Sequence, residues 1–270
     1  MNYFKSIFSV MALVALSSHF SFGQMSASFS TGYGMGLSQG NYYEGRYRDN
    51  TVNNRELVKY SLGSGLNFNG IFNYGLNDNL ELELGVTYLM GSKTESVDYD
   101  GRDPLAIQND VFSISAKGLS VTPGILIKGS GEGVRPYSRL GLNLGKPSIT
   151  EEITFDDGTN ISYVKVEYGQ GMSIGFSGAF GALYNIGSLD LFGELFINSV
   201  AYAPKFGEVT ALEQDGTSII SNFDVIDLQT NYVDVLDRNK NIPNTSPNEA
   251  LLQYYPLSSY GLKIGVRYNF

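Results

Sequence analysis

The charged residues of this 270-residue chain recur at spaced positions inside apolar, alternating runs. Glu81 and Glu83 stand in LELELGVTYLMG, Arg135 and Arg139 in VRPYSRLGLNLG, and Asp190 and Glu194 in SLDLFGELFINSVAYA. Lys263 and Arg267 stand in YGLKIGVRYNF, and Lys117 in FSISAKGLSVTPGILIKG. A carboxylate pair two residues apart on one strand face could do acid and base work. The simpler role for each acid is to pair with a cation on the same face. Other catalytic chemistry lacks its parts. The chain has no Cys, and its single His is His19, in a segment that reads as removed on export. Without imidazole or thiol, no Ser-His-acid hydrolase, Cys-His acyltransferase or His-ligated zinc site can be built. The expectation is a non-enzymatic protein with no cofactor and no metal site.

What must position these charges is β-structure. Alternation at period two gives a strand two faces, and in LELELGVTYLMG Leu80, Leu82, Leu84, Val86 and Tyr88 oppose Glu81, Glu83, Gly85 and Thr87. The same pattern recurs over 26–40, 60–76, 112–129, 134–145, 171–186, 188–203 and 260–270. About eight strands follow, each near the roughly ten residues that a tilted strand needs to cross a bilayer. Short turns (NDN, SGEG, GS) alternate with long loops over 41–59, 92–111, 146–170 and 204–256. That rhythm predicts an all-β, transmembrane up-and-down antiparallel barrel with short periplasmic turns and long extracellular loops. Tyr74, Tyr184, Tyr268 and Phe270 then fall at the periplasmic rim, and Tyr60, Tyr88, Tyr202 and Tyr260 at the outer rim.

Composition is consistent with this. The 32 Gly, 19 Tyr and 16 Phe favour strands and tight turns. The formal charge of -9 offers no basic stripe for phosphates, so no nucleic-acid partner is expected. At the N-terminus Lys5, the apolar run IFSVMALVAL and the small residues of SFG read as an export signal over residues 1–23, cut before Gln24. The barrel domain is then 24–270.

Two of the long loops carry alternating arms around Asp157–Gly158 and Asp215–Gly216, a hairpin signal. Glu151 shares a face with Ile149, Ile153 and Phe155, and a carboxylate facing lipid is unfavourable, so these arms are expected to extend the wall outside the membrane. DRNKN, at 237–241, begins like a calcium loop, but Ile242 stands where the turning Gly belongs and Asn248 where the closing Glu belongs. A solvated loop is expected there.

The export signal, the strand and loop rhythm across the mature chain, and the terminal YGLKIGVRYNF together resemble the small outer-membrane β-barrel family, the OmpA-type membrane domain and its relatives. The resemblance implies that Tyr260, Leu262, Ile264, Val266, Tyr268 and Phe270 form an assembly signal read by the barrel assembly machinery. Its partners would be outer-membrane lipids and that machinery, with room for an extracellular ligand at the loops. No catalytic motif comes with it.

Eight strands leave an interior about wide enough for side chains to fill. Glu81, Glu83, Lys117, Arg135, Arg139, Asp190, Glu194, Lys263 and Arg267 are placed inside, where opposed charges should pair and plug the lumen. The leading expectation is therefore a structural or surface-recognition barrel in the bacterial outer membrane. A narrow porin-like channel is the second reading. A soluble, periplasmic lipocalin-like barrel is the third, and it requires an apolar interior and a polar outside.

Overall fold

The computed structural model describes residues 25–37, 40–103, 107–131, 133–237 and 239–270. The export signal expected over 1–23 and its cut before Gln24 lie outside the described residues. From the end that carries the short turns, β1 (Met25–Gly36) rises. A hairpin of β2 (Gly40–Arg48) and β3 (Asn53–Tyr60) precedes β4 (Gly65–Gly75), which descends. β5 (Leu80–Gly91) rises, β6 (Thr94–Asp100) follows, and β7 (Gln108–Lys128) descends. β8 (Val134–Asp156) rises, β9 (Ile161–Gly169) folds back, and β10 (Met172–Ile186) descends. β11 (Leu189–Ala203) rises into β12 (Phe206–Gln214) and the short β13 (Thr217–Ser218). One helical turn, α1 (Val225–Leu228), leads to β14 (Gln229–Val233), β15 (Asn248–Leu251) and β16 (Tyr255–Pro256) before β17 (Ser259–Asn269) descends.

Eight of these strands form a ring. β1 pairs with β4, β4 with β5, β5 with β7, β7 with β8, β8 with β10, β10 with β11, β11 with β17, and β17 with β1. Every pairing is antiparallel, so the architecture is an eight-stranded up-and-down barrel with no free edge in the ring. Among the described residues no helix is long and apolar enough to cross a membrane. The turns at the closed end are tight for local reasons. Asn77 accepts hydrogen bonds from the backbone of Asn79 and Leu80 at 3.0 and 2.9 Å, and Gly187 supplies the left-handed φ of 74° between Ile186 and Leu189.

The pleat then sorts the side chains. Phe29, Leu84, Phe176, Leu195 and Ile264 are exposed on the outside of the ring, while Ser30, Asn69, Glu83 and Glu194 are buried inside it. An apolar outside around a polar inside is the reverse of a soluble binding barrel.

At the other end the wall does not stop with the ring. The segments expected as loops are largely strand: β7 and β8 run for 21 and 23 residues, and β9 pairs with the upper part of β8 from Ile149↔Tyr168 to Asp156↔Ile161. β12 adds to β9, β14 to β12 and β15 to β14, while β6 adds to β7, β2 to β6 and β3 to β2. The alternation that builds the ring continues through ITEEITF and ISYVKVEY, so the same pairing carries on beyond it.

Candidate functional site

β11 crosses every layer of the interior, and its inward residues report them in order: Asp190, Phe192, Glu194, Phe196, Asn198, Val200 and Tyr202. Charge lies toward the short turns, neutral polar groups lie in the middle, and apolar groups lie toward the extended end.

The charged layer has two clusters of ion pairs. In the lower one Glu81 receives Lys128 at 2.5 Å and Arg267 at 2.7 Å. Arg267 also lies 3.9 Å from Asp190, which receives Arg135 at 2.9 Å. In the upper one Arg139 lies 3.5 Å from Glu83 and 3.3 Å from Glu194, and Lys263 lies 3.6 Å from Glu194. Tyr137 donates a 2.7 Å hydrogen bond to Glu194, and Asn73 donates to Glu83 at 3.3 Å. The cations also rest on rings: Arg139 lies over Tyr137 and Phe192, and Lys263 is 4.4 Å from the centre of Phe196. Register explains part of this, because Glu194 sits directly opposite Lys263 and Asp190 opposite Arg267 on β11 and β17.

A cavity of about 50 Å³ reaches from the upper charged cluster, at Glu83, Arg139, Glu194 and Lys263, to the neutral Asn69, Thr87, Thr122, Asn143, Ser177 and Asn198. Such a space holds a few waters and fits the polar character of its walls. Above that again lies an apolar core of Leu62, Ile114, Ala116, Ile149, Val200, Tyr202 and Leu257, with Ile149 and Tyr202 at 0% exposure. Leu89 and Tyr60, both partly buried, pack against it.

The innermost part of the extension is capped by tyrosines around a carboxylate. Tyr168 donates to Glu151 at 2.7 Å, and its ring meets those of Tyr232 and Tyr255 at 6.2 and 5.9 Å. Burial, and then the Glu151 charge, raise the hydroxyls of Tyr168 and Tyr255 above the ordinary phenol value, and those of Tyr60 and Tyr232 in the same direction. On the outer side, the parallel pairing of β2 and β6 sets Arg46 against Asp98 at 2.8 Å, Tyr47 on Tyr99 with centroids 4.9 Å apart, and Arg48 near Asp100 at 3.8 Å. Arg102 clamps Asp100 through two nitrogens, and that hydrogen bond holds the Asp100 carboxyl down at about 2.

Of the charges placed inside from sequence, Glu81, Glu83, Arg135, Arg139, Asp190, Glu194, Lys263 and Arg267 meet in this network. Lys117 does not. It is exposed on the outside of the ring, two residues from Leu119 and four from Val121, and even spacing keeps all three on one face. The same parity identifies the missing member, because Lys128 is an odd number of residues from Ile125 and Ile127 and must point inward to Glu81. Tyr137 was also missed, although it shares its face with Arg135 and Arg139.

Two expected girdle residues are corrected as well. Tyr202 shares parity with Glu194 and Val200 and is buried, and Tyr60 packs on the apolar core, whereas Tyr88 and Tyr260 are exposed on the outside. Glu151 lies on the face of Ile149, which is inside the extension, so the choice it faces is tyrosine rather than lipid. Tyr260, Leu262, Ile264, Val266, Tyr268 and Phe270 form one exposed outward row on and beside β17. In the DRNKN stretch Asp237 accepts the backbone N–H of Asn239 at 2.9 Å, and Lys240 pairs with Glu249. Among the described residues no group of acids is arranged to hold a metal ion.

No family model matches this chain, and no curated protein matches it. Among solved structures it is similar to Neisserial surface protein A (NspA), at 14% identity over 92% of this chain and 97% of that one, with a TM-score of 0.37. It is also similar to Ail, the attachment invasion locus protein of Yersinia pestis, at 12% identity over 91% of this chain and 99% of that one, with a TM-score of 0.26. The architecture given above stands on this chain's own strand pairing.

Proposed function

We propose that this chain is a bacterial outer-membrane barrel with no catalytic role, whose lumen is plugged and whose extended outer rim is the working surface. One observation carries the membrane reading: a closed ring is apolar outside, at Phe29, Leu84, Phe176, Leu195 and Ile264, and charged inside. Water would have to cover that apolar belt at a cost of roughly 25 cal/mol per Å², whereas lipid covers it at none. The short turns then face the periplasm. The outward row of β17 meets lipid, and its resemblance to the assembly signal of small outer-membrane barrels makes the barrel assembly machinery its partner on the way in.

The plug has two parts in series. Paired charges fill the lower lumen, where an unpaired charge would be costly, and the apolar core around Ile149 and Tyr202 closes the upper end. A pore reading would need a continuous polar path, and the apolar layer interrupts it. What remains for function is the rim of β2, β3, β6, β9 and β12, which offers exposed arginines, acids and tyrosines to an extracellular ligand.

The membrane reading is tested by washing membranes with carbonate and comparing boiled with unboiled samples on a gel. Retention in the membrane and a heat-dependent shift in mobility are expected. Release by carbonate with unchanged mobility would overturn the reading.

A further inference from the structure

The outward row of the β7–β8 pair changes character along its length. Toward the short turns it pairs Ile125 with Leu140 and Val121 with Leu144, then Leu119 with Lys146, then Lys117 with Ser148, and finally Ser115 with Thr150. The two lysines therefore stand at the step from apolar wall to polar wall. Both are exposed, and they occupy diagonal positions on adjacent strands. Like charges so placed repel one another. Among the described residues neither takes part in an ion pair, and the outward acid above them, Glu152, is already held by Lys93 at 2.8 Å and by Tyr163.

Beside the lysines the wall is hollowed into an open groove lined by Tyr88, Leu119, Leu144 and Met172. Lysine stems lie along such a surface while their ammonium groups reach toward water. We propose that this groove, on the membrane reading above, seats a phosphate-bearing lipid of the outer leaflet, its acyl chain on Leu119, Val121 and Leu144 and its phosphate between Lys117 and Lys146. Charge complementarity selects this occupant. An uncharged lipid would leave two ammonium groups unpaired, and a free anion would leave the apolar groove unfilled.

The test is native mass spectrometry of the full mature barrel in detergent, with diphosphoryl lipid A or its dephosphorylated form as the probe. Lys117→Gln/Lys146→Gln is compared with Lys165→Gln/Lys240→Gln, which removes the same charge from the extension. Wild type and control are expected to retain the diphosphoryl lipid about thirtyfold better than the groove variant, from two lysines near a charged headgroup. They are also expected to retain the dephosphorylated form no better than that variant does, and inorganic phosphate at equal concentration is expected not to displace the lipid.

Equal retention by the groove variant overturns the proposal. So does displacement by inorganic phosphate, or a dimer of the chain that the groove variant alone dissolves. Insertion into vesicles of zwitterionic lipid is measured in parallel. If all forms insert and retention is equal, only the lipid site fails, whereas failure of wild type to insert overturns the membrane reading and the site with it.

Discussion

Tyr137 and Glu194 belong to strands that are not neighbours, yet they meet through a 2.7 Å hydrogen bond across β10, because the residue between them is Gly181. A Cβ at that position would lie 2.8 Å from both the Glu194 Cβ and the Tyr137 ring. Gly181→Ala is therefore expected to push the pair apart and destabilise the barrel by about 1–3 kcal/mol, as overpacking does. Tyr137→Phe, which keeps the ring and removes the donor, is expected to cost a similar amount, about 1–3 kcal/mol. Urea midpoints of vesicle-inserted protein measure both, and unchanged midpoints would mean that the contact holds nothing together.

Glu194 is the shared partner of Arg139 and Lys263. Glu194→Gln leaves two buried cations short of a carboxylate, and a loss of about 3–5 kcal/mol is expected. Adding Lys263→Met removes one of the stranded charges while keeping an apolar stem on Phe196. The double variant is expected to be more stable than Glu194→Gln alone, with a coupling of about 1 kcal/mol or more. Additive losses in a double-mutant cycle would show that the two residues do not act as a pair.

The tyrosine cap predicts an alkaline limit. Burial and Glu151 raise the hydroxyls of Tyr168 and Tyr255, so the folded state keeps protons that the unfolded state releases near the ordinary phenol value of about 10. Their contribution is complete below that value and is lost as pH rises above it. Phenolate absorbance from these residues should appear only together with unfolding, and Tyr168→Phe should lose that fraction of the signal. Its appearance in folded protein near pH 10 would place these hydroxyls in water instead.

Much of this arrangement was legible in the chain. Strict alternation in LELELGV and YGLKIGV fixed the faces of β5 and β17, and the short turns fixed the order of the strands. Lys117 was placed inside and Lys128 was left out because the run FSISAKGLSVTPGILIKG mixes small residues with apolar ones, and only a consistent count from Ile125 assigns both. The apolar core at the outer end was not legible. It joins Leu62, Ile149, Tyr202 and Leu257 from distant segments, and local periodicity cannot report which of two faces will turn toward one another once the wall extends.

The β2–β6 ladder predicts an acid limit. Arg102 holds Asp100 at about 2, well under the ordinary carboxylate, so its contribution is complete above about 4 and is lost as pH falls through about 2. Hydrogen exchange of the β2 and β6 amides at neutral pH is expected to quicken in Asp100→Asn and to be unchanged in Glu56→Gln, an exposed acid of β3. Equal protection in all three proteins would mean that the clamp does not order the rim.

The proposed plug is tested most directly by single-channel recording of the mature protein in a planar bilayer. Wild type is expected to be silent. Glu194→Gln alone should stay silent too, because the apolar core still closes the outer end, and conductance should appear only when Glu194→Gln is combined with Leu62→Ala and Ile149→Ala. Stable, saturable conductance in the wild type would contradict the plug and make the paired charges the lining of a pore.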